Sequence, residues 1–173
     1  MEQPIVNRVA NSGLITLNLE EHFPQREIVS FDLKDYLFME MILKERDFRT
    51  ALKEHDWTRY EGKILTIFCS ADAIIPVWAY MLTAAYAEPY AADIYQGTPE
   101  DYLKSVYREL IQSTDYSRYD GKRIVIKGCS NKPVPPAAYL ALTAALRPYA
   151  QSIMYGEPCS TVPIFKRPRV KKA

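Results

Sequence analysis

The stretch "DWTRYEGKILTIFCS" (Asp56–Ser70) returns 59 residues later as "DYSRYDGKRIVIKGCS" (Asp115–Ser130). Asp56 to Lys63 matches Asp115 to Lys122 conservatively at every position. After one inserted residue, Cys69-Ser70 matches Cys129-Ser130 and Pro76 matches Pro136. Further on, Leu82–Ala85 ("LTAA") matches Leu142–Ala145, Pro89–Ala91 ("PYA") matches Pro148–Ala150, and Gly97 matches Gly156. Register held over such a length marks a duplicated structural unit rather than low complexity.

Each unit has a legible shape. "KILTIFCS" and "KRIVIKGCS" are short, β-branched and mostly apolar, as buried strands are. After each comes a loop, a proline, and an Ala- and Leu-rich helix, "VWAYMLTAAYAEPY" or "PAAYLALTAALRPY", with proline tolerated in the first turn. Pro89 and Pro148 end or kink these helices. "ADIYQG" and "QSIMYG" follow as second strands. Strand, helix, strand implies a right-handed crossover onto a parallel sheet. The expected class is therefore α/β: a mainly parallel sheet from a duplicated β-α-β unit with an N-terminal β/α extension.

The expected organisation is a single domain over 1–173, with an extension (1–55), a first repeat unit (56–97), a linking helix (98–114), a second repeat unit (115–160) and a basic tail (161–173). In the linking helix Thr98 is the expected N-cap, Pro99 the first helical residue and Asp101 the acid of a capping box. Tyr102, Leu103, Val106, Tyr107 and Leu110 form its apolar face. In the extension, "GLITLNLEEHF" and "REIVSFDL" alternate as strands do and are expected to pair antiparallel at a sheet edge. "FDLKDYLFMEMILKERDFRTALKEHDW" reads as one or two amphipathic helices, capped by Ser30 or Asp32.

Composition narrows the function classes. Hydrophobic residues are 48% and charged residues 25%, with 22 basic against 21 acidic side chains. That balance argues against a specific nucleic-acid binder. "FKRPRVKKA" at the end carries Lys166, Arg167, Arg169, Lys171 and Lys172; it reads as a frayed, solvated tail or as a weak anion or RNA contact. The polar opening "MEQPIVNRVANSG" lacks the apolar core of a signal peptide. No run approaches the ~20 apolar residues that span a bilayer. The expectation is a cytoplasmic protein without a membrane partner.

The chain has three cysteines, and each is followed by serine and, within a few residues, by proline. Cys69 and Cys129 lie at the carboxyl ends of expected strands, before helices, and Cys159 follows the last expected strand. Sites on open parallel sheets form at that rim. The thiols converge there if their strands are neighbours, about 4.8 Å apart. Convergent thiolates suit zinc or an iron–sulfur cluster. On this reading Cys69, Cys129 and Cys159 are metal ligands, and Ser70, Ser130 and Ser160 support the site by hydrogen bonds to sulfur. The alternative is plain burial, since free cysteine behaves as a small hydrophobe, and no C-x-x-C pair is present. Glu100 falls where the first unit aligns with Cys159, as a fourth ligand or as a helix-start acid. Asp72 is a ligand, a general base or an N-cap. His55 stands at the end of the strand opposite the cysteines, and His22 in an N-terminal loop. No G-x-G-x-x-G, Walker loop or G-x-S-x-G occurs.

"IVNRVANSGLITLNLEE", "HDWTRYEGK", "CSADAIIPVWAYM", "IVIKGCS" and "SIMYGEPCSTVPIFKR" resemble a bacterial family, domain of unknown function 2480, over nearly the whole chain. The resemblance implies no assigned activity. It does imply an iron–sulfur context, because family members lie beside genes for cluster assembly. The leading expectation is thus a metal-binding protein with a three-cysteine site, zinc or iron–sulfur, acting as an accessory with a protein partner in iron–sulfur assembly. Two other readings stand beside it: an enzyme using Cys69 as nucleophile with Asp72 assisting, and a noncatalytic homodimeric interaction module with structural cysteines.

Overall fold

The computed structural model describes residues 13–128, 131–157 and 160–168. In chain order the elements are β1 (Leu14–Leu17), β2 (Ile28–Asp32), α1 (Glu45–Glu54), β3 (Ile64–Phe68), α2 (Val77–Ala87), β4 (Asp93–Gln96), α3 (Pro99–Ser113), β5 (Arg123–Ile126), α4 (Pro136–Leu146), β6 (Ser152–Glu157) and β7 (Ser160–Lys166), with short 3-10 turns between them. The protein is mixed α/β, with four helices and largely parallel strands. These form two sheets, β2-β3-β4 and β1-β5-β6-β7. The chain divides into two compact units, residues 24–103 and residues 1–23 with 104–173. Among the described residues no helix is long and apolar enough to cross a membrane.

In the 24–103 unit all strand pairs are parallel: Ile28 pairs with Ile64, and Ile64 with Asp93. The run Ile64–Ile67 is buried throughout, as a central strand covered on both faces requires. Alternation along it sends Leu65 and Ile67 into one cluster with Phe48 and Leu52 of α1 and Ala79 and Ala87 of α2. Both helices therefore pack on the same side of this sheet. α1 is amphipathic: Phe48 and Leu52, four apart, are buried, while Glu45 and Arg49 pair on the outer side at 2.9 Å. α2 buries Ala79, Thr83 and Ala87, and the Thr83 hydroxyl donates to the Ala79 carbonyl at 2.9 Å, so this polar group is satisfied where it is buried.

In the other unit β1 pairs with β5 and β5 with β6, both parallel, and β7 runs antiparallel to β6. Ile124 and Ile126 join Tyr107 and Ile111 of α3 and Ala138, Leu142 and Leu146 of α4 in a second cluster. Each fully buried Leu or Ile is worth roughly 1.5–3 kcal/mol, so the paired clusters are the main source of stability in both units. The expected capping of α3 is present atom for atom. The Thr98 hydroxyl donates to Asp101 Oδ2 at 2.7 Å and accepts from the Asp101 N–H at 3.2 Å.

Four expectations are corrected. First, β1 and β2 do not pair with each other antiparallel; each is the first strand of a parallel sheet, β1 beside β5 and β2 beside β3. Alternating polarity fixes a strand but not its partner. Second, the supposed tail begins as β7, and Phe165 and Lys166 belong to it. Arg167 then donates its N–H to the Gln151 carbonyl at 2.8 Å, and its guanidinium donates to the Pro148 carbonyl. Arg169, Lys171 and Lys172 lie outside the described residues. Third, α2 starts after Pro76 and α4 after Pro135, so Pro76 corresponds to Pro135 rather than Pro136. Matching hydrogen bonds, Gly62 N–H to Tyr90 and Gly121 N–H to Tyr149, both 3.0 Å, keep a spacing of 59 throughout. No residue is inserted between the strand and the helix, and Leu82–Ala85 therefore sits one position, about 100°, around its helix from Leu142–Ala145. Fourth, Asp32 caps a 3-10 turn, Leu33–Tyr36, instead of a long helix, and Asp72 caps nothing, because α2 begins at Val77 behind Pro76 without a side-chain cap.

Candidate functional sites at the carboxyl edges of the sheets

At the carboxyl edge of β2-β3-β4, Asp32 ends β2 and holds the edge together. Its Oδ1 accepts from Lys34 N–H at 2.9 Å and from Ser70 N–H at 3.0 Å. Partial burial pushes its carboxyl up, but the Ser70 hydroxyl and these two N–H groups prevail and hold it below the usual carboxylate value. Ser70 thus serves Asp32. Cys69, at the end of β3, is partly buried against the core, and its thiol donates to the Ala71 carbonyl at 3.6 Å. Tyr80 of α2 lies close by; burial first and the neighbouring Cys69 second raise its phenol, against a hydrogen bond with Gln96 of β4. Cys69, Tyr80 and Gln96 thus meet at this edge, with Asp32 beside Ser70. Asp72 lies in the loop beyond it. Glu100 takes a place in the first turn of α3, where an acid favours the helix end.

The edge of β1-β5-β6 is built differently. With the spacing of 59, Gly128 takes the position of Cys69, Tyr139 that of Tyr80 and Tyr155 that of Gln96. Tyr155 donates its hydroxyl to the Gly128 carbonyl at 3.2 Å, and its ring meets Tyr139 edge-on at 5.8 Å. A Cβ at Gly128 would stand 3.0 Å from the Tyr155 ring and 3.1 Å from the Gly156 backbone, so any larger residue would push the two strands' ends apart by a few tenths of an ångström. Glu20 reaches the same edge and accepts from the Asn131 N–H at 3.3 Å. Burial pushes Tyr107 up to about 12, with Tyr139 and Glu20 adding to it. Glu157, at the end of β6, has a buried Oε1 with no hydrogen-bond partner among the described residues.

Cys129, Ser130 and Cys159 lie outside the described residues. Their flanks are described: Gly128 and Asn131 on one side, Glu157 and Ser160 on the other. β3 and β5 belong to separate sheets, so the neighbouring-strand condition for convergence holds for the β5 and β6 ends and not for Cys69 with Cys129. Ser160 opens β7 and is exposed. Among the described residues no group of three His, Cys, Asp or Glu side chains is arranged to hold a metal. His55 lies in an aromatic cluster, with Nε2 2.9 Å from the Tyr60 hydroxyl and Nδ1 3.4 Å from that of Tyr36. His22 ends the 3-10 turn Leu19–His22.

A family profile for proteins of unknown function, DUF2480, matches residues 3–167. The chain belongs to this family. No curated protein and no solved structure matches it. For this family member the chemistry must therefore be read from its own edges. Sequence reasoning missed Asp32, Glu20, Glu157, Tyr139 and Tyr155. The one available signal was position: Asp32 ends β2, and Tyr155 and Glu157 lie in the last three residues of β6, at the rim that the cysteines had already marked.

Proposed function

We propose that the protein binds a soft divalent metal, zinc by preference, through Cys129 and Cys159 with Glu157 as a further ligand. The observation that carries this is the buried Glu157 Oε1, which has no hydrogen-bond partner among the described residues and stands two residues before Cys159. A carboxylate oxygen shielded from water without a partner is unfavourable, and a bound cation offsets that. The close approach of Gly128 to Tyr155 and Gly156 supports the pairing, since Cys129 adjoins Gly128. Zinc accepts thiolate and carboxylate together, whereas iron–sulfur clusters are held mainly by thiolates. Two cysteines and a glutamate in one unit therefore favour zinc, and Cys69 is carried by the other unit. The setting we assign is the cytoplasm, as an accessory to a protein partner. We further read the two units as copies of one β-α-β-α-β module: each runs strand, helix, strand, helix, strand, with 59 residues between equivalent positions from α1 and α3 onward.

Anaerobic purification followed by zinc and iron analysis tests this. We expect about one zinc per chain, retained by Cys69→Ser and lost by the Cys129→Ser/Cys159→Ser double variant. Glu157→Gln should shift the chelator concentration that strips half the metal by roughly tenfold. A metal-free native protein, or a double variant that keeps its zinc, defeats the proposal.

A further inference from the structure

A cavity of about 820 Å³ forms a groove between α3 and α4. α2 and α4 are both eleven residues long and bury equivalent stripes, Ala79, Thr83 and Ala87 against Ala138, Leu142 and Leu146. This register pairs Trp78, Leu82 and Tyr86 with Ala137, Ala141 and Ala145. In the 24–103 unit those large side chains fill the space between the helices: Trp78 packs on Phe48 with ring centroids 6.1 Å apart, and Tyr86 stacks on Trp57 at 5.8 Å. In the other unit the three alanines line the groove instead. Tyr116, the counterpart of Trp57, lines it too, and position 145 offers it no ring to stack on.

The charge of the lining is one-sided. Lys104 and Arg108 of α3 contribute to it, and no acidic side chain does. α4 leads from the carboxyl end of β5 to the amino end of β6, and α3 leads to the amino end of β5 after Tyr107 has donated to the Leu19 carbonyl, just past the carboxyl end of β1, at 2.9 Å, so they run the same way. Lys104 and Arg108 therefore accompany the amino-terminal part of α4, where the helix dipole also favours an anion. The volume lies within the roughly 300–1,000 Å³ of small-molecule sites, and an apolar wall with a few convergent polar groups is their usual make-up.

We propose that this groove binds a small anion with a planar aromatic body, such as an aryl carboxylate or sulfonate. The ring occupies the volume that Trp78 and Tyr86 fill in the other unit and stacks on Tyr116. The acid group faces Lys104 and Arg108. The proposal is independent of the metal site, although its comparison of positions uses the shared spacing of the two units.

The test uses the full chain and two fluorescent probes, anilinonaphthalene sulfonate and its neutral relative N-phenylnaphthylamine. We expect saturable binding of the sulfonate at one site per chain. Ala137→Trp/Ala145→Tyr, which copies the filling of the other unit, should weaken both probes by roughly tenfold or more, with near-ultraviolet circular dichroism showing that the fold is kept. Lys104→Gln/Arg108→Gln should weaken the sulfonate roughly tenfold and leave the neutral probe unchanged. Naphthoate should displace the sulfonate where a straight-chain carboxylate does not. Unsaturable or multiple binding, a folded filled variant that binds as the wild type does, or a sulfonate affinity indifferent to the two charges overturns the proposal. Should the filled variant not fold, the charge variant decides alone.

Discussion

The two units share one order of three parallel strands and two helices, to which one adds the antiparallel β7, on different fillings. In one, Cys69 sits beside Tyr80 and Gln96, and Trp78, Leu82 and Tyr86 close the space between helices. In the other, Gly128 yields its place to the Tyr155 ring, and Ala137, Ala141 and Ala145 leave a groove. The difference separates what the architecture demands from what it permits. Both units keep apolar residues on the sheet face that meets the helices and a buried i, i+4, i+8 stripe on the second helix. Both follow their first strand with a 3-10 turn capped by a side chain, Asp32 at the end of β2 and Asn18 just after β1. The rim and the outer helix face are free to diverge, and there the units take on separate chemistry.

The sharpest way to break the comparison is at its shared part. Leu65 and Ile124 are both fully buried at equivalent positions of the two central strands. Leu65→Ala and Ile124→Ala should each cost about 2–5 kcal/mol in urea unfolding. A loss below about 1 kcal/mol in either would show that its cluster is not what supports that unit.

Two glycines come next, Gly97 just after β4 and Gly156 next to the last residue of β6. Gly97 and Gly156 both have positive φ, 139° and 127°. An added Cβ at Gly156 would meet the Ser160 carbonyl at 2.5 Å, which is backbone; at Gly97 the nearest atom is in the Tyr95 ring at 2.9 Å, which can turn aside. Gly156→Ala should therefore cost about 3 kcal/mol and Gly97→Ala about 1–2 kcal/mol. Equal losses would mean that the β6–β7 hairpin yields as easily as a side chain does.

A smaller effect is expected at the rim itself. Gly128→Ala should cost about 1–2 kcal/mol, because its Cβ crowds Tyr155 and the Gly156 backbone. Tyr155→Gln, which imports the residue at Gln96, should recover about half, and the double-mutant cycle measures that coupling. Cys69→Ala makes the matching change in the other unit with no such crowding and should stay within about 1 kcal/mol. If Tyr155→Gln recovers nothing, the close approach of the two strand ends is backbone in origin.

Much of the fold was legible because local chemistry determined it. The apolar runs at Ile64–Phe68 and Arg123–Ile126, the prolines before α2 and α4, and the Thr98–Asp101 cap each identify an element without help from elsewhere. Strand partnership was not legible. β1 and β2 read alike, and nothing in "LITL" or "IVSFD" says that each joins a different sheet. β7 was hidden because Pro163 and the following basic residues resemble a loose end, and an edge strand tolerates both. The cysteine rim was visible as a pattern of positions. Glu157 was not, since a lone glutamate becomes informative only when burial removes its partners.

The smallest predicted effect concerns one titrating group that the other unit lacks. His55 corresponds to Thr114, whose hydroxyl donates to the Leu110 carbonyl at 2.7 Å. Facing His55 are the hydroxyls of Tyr36 and Tyr60, the rings of Phe31 and Trp57, and the charges of Arg59 and Asp56. Burial first and Arg59 second lower its imidazolium below the ordinary 6.5, with Asp56 opposing. Between the lowered folded value and 6.5 the unfolded chain therefore binds more protons than the folded one, and stability rises with pH through that window. Above 6.5 the contribution is complete and the profile flattens; it is lost as pH falls to the folded value. His55→Thr, which imports the counterpart residue, should remove this slope and leave the acid-side loss that belongs to Asp32, below 3.8. Titration of the His55 ring proton by nuclear magnetic resonance checks the same point directly. A midpoint at 6.5 would remove the pH asymmetry between the units, and one above it would mean that the two tyrosine hydroxyls and Asp56 stabilise the charged ring more than burial and Arg59 oppose it, reversing the sign of that asymmetry.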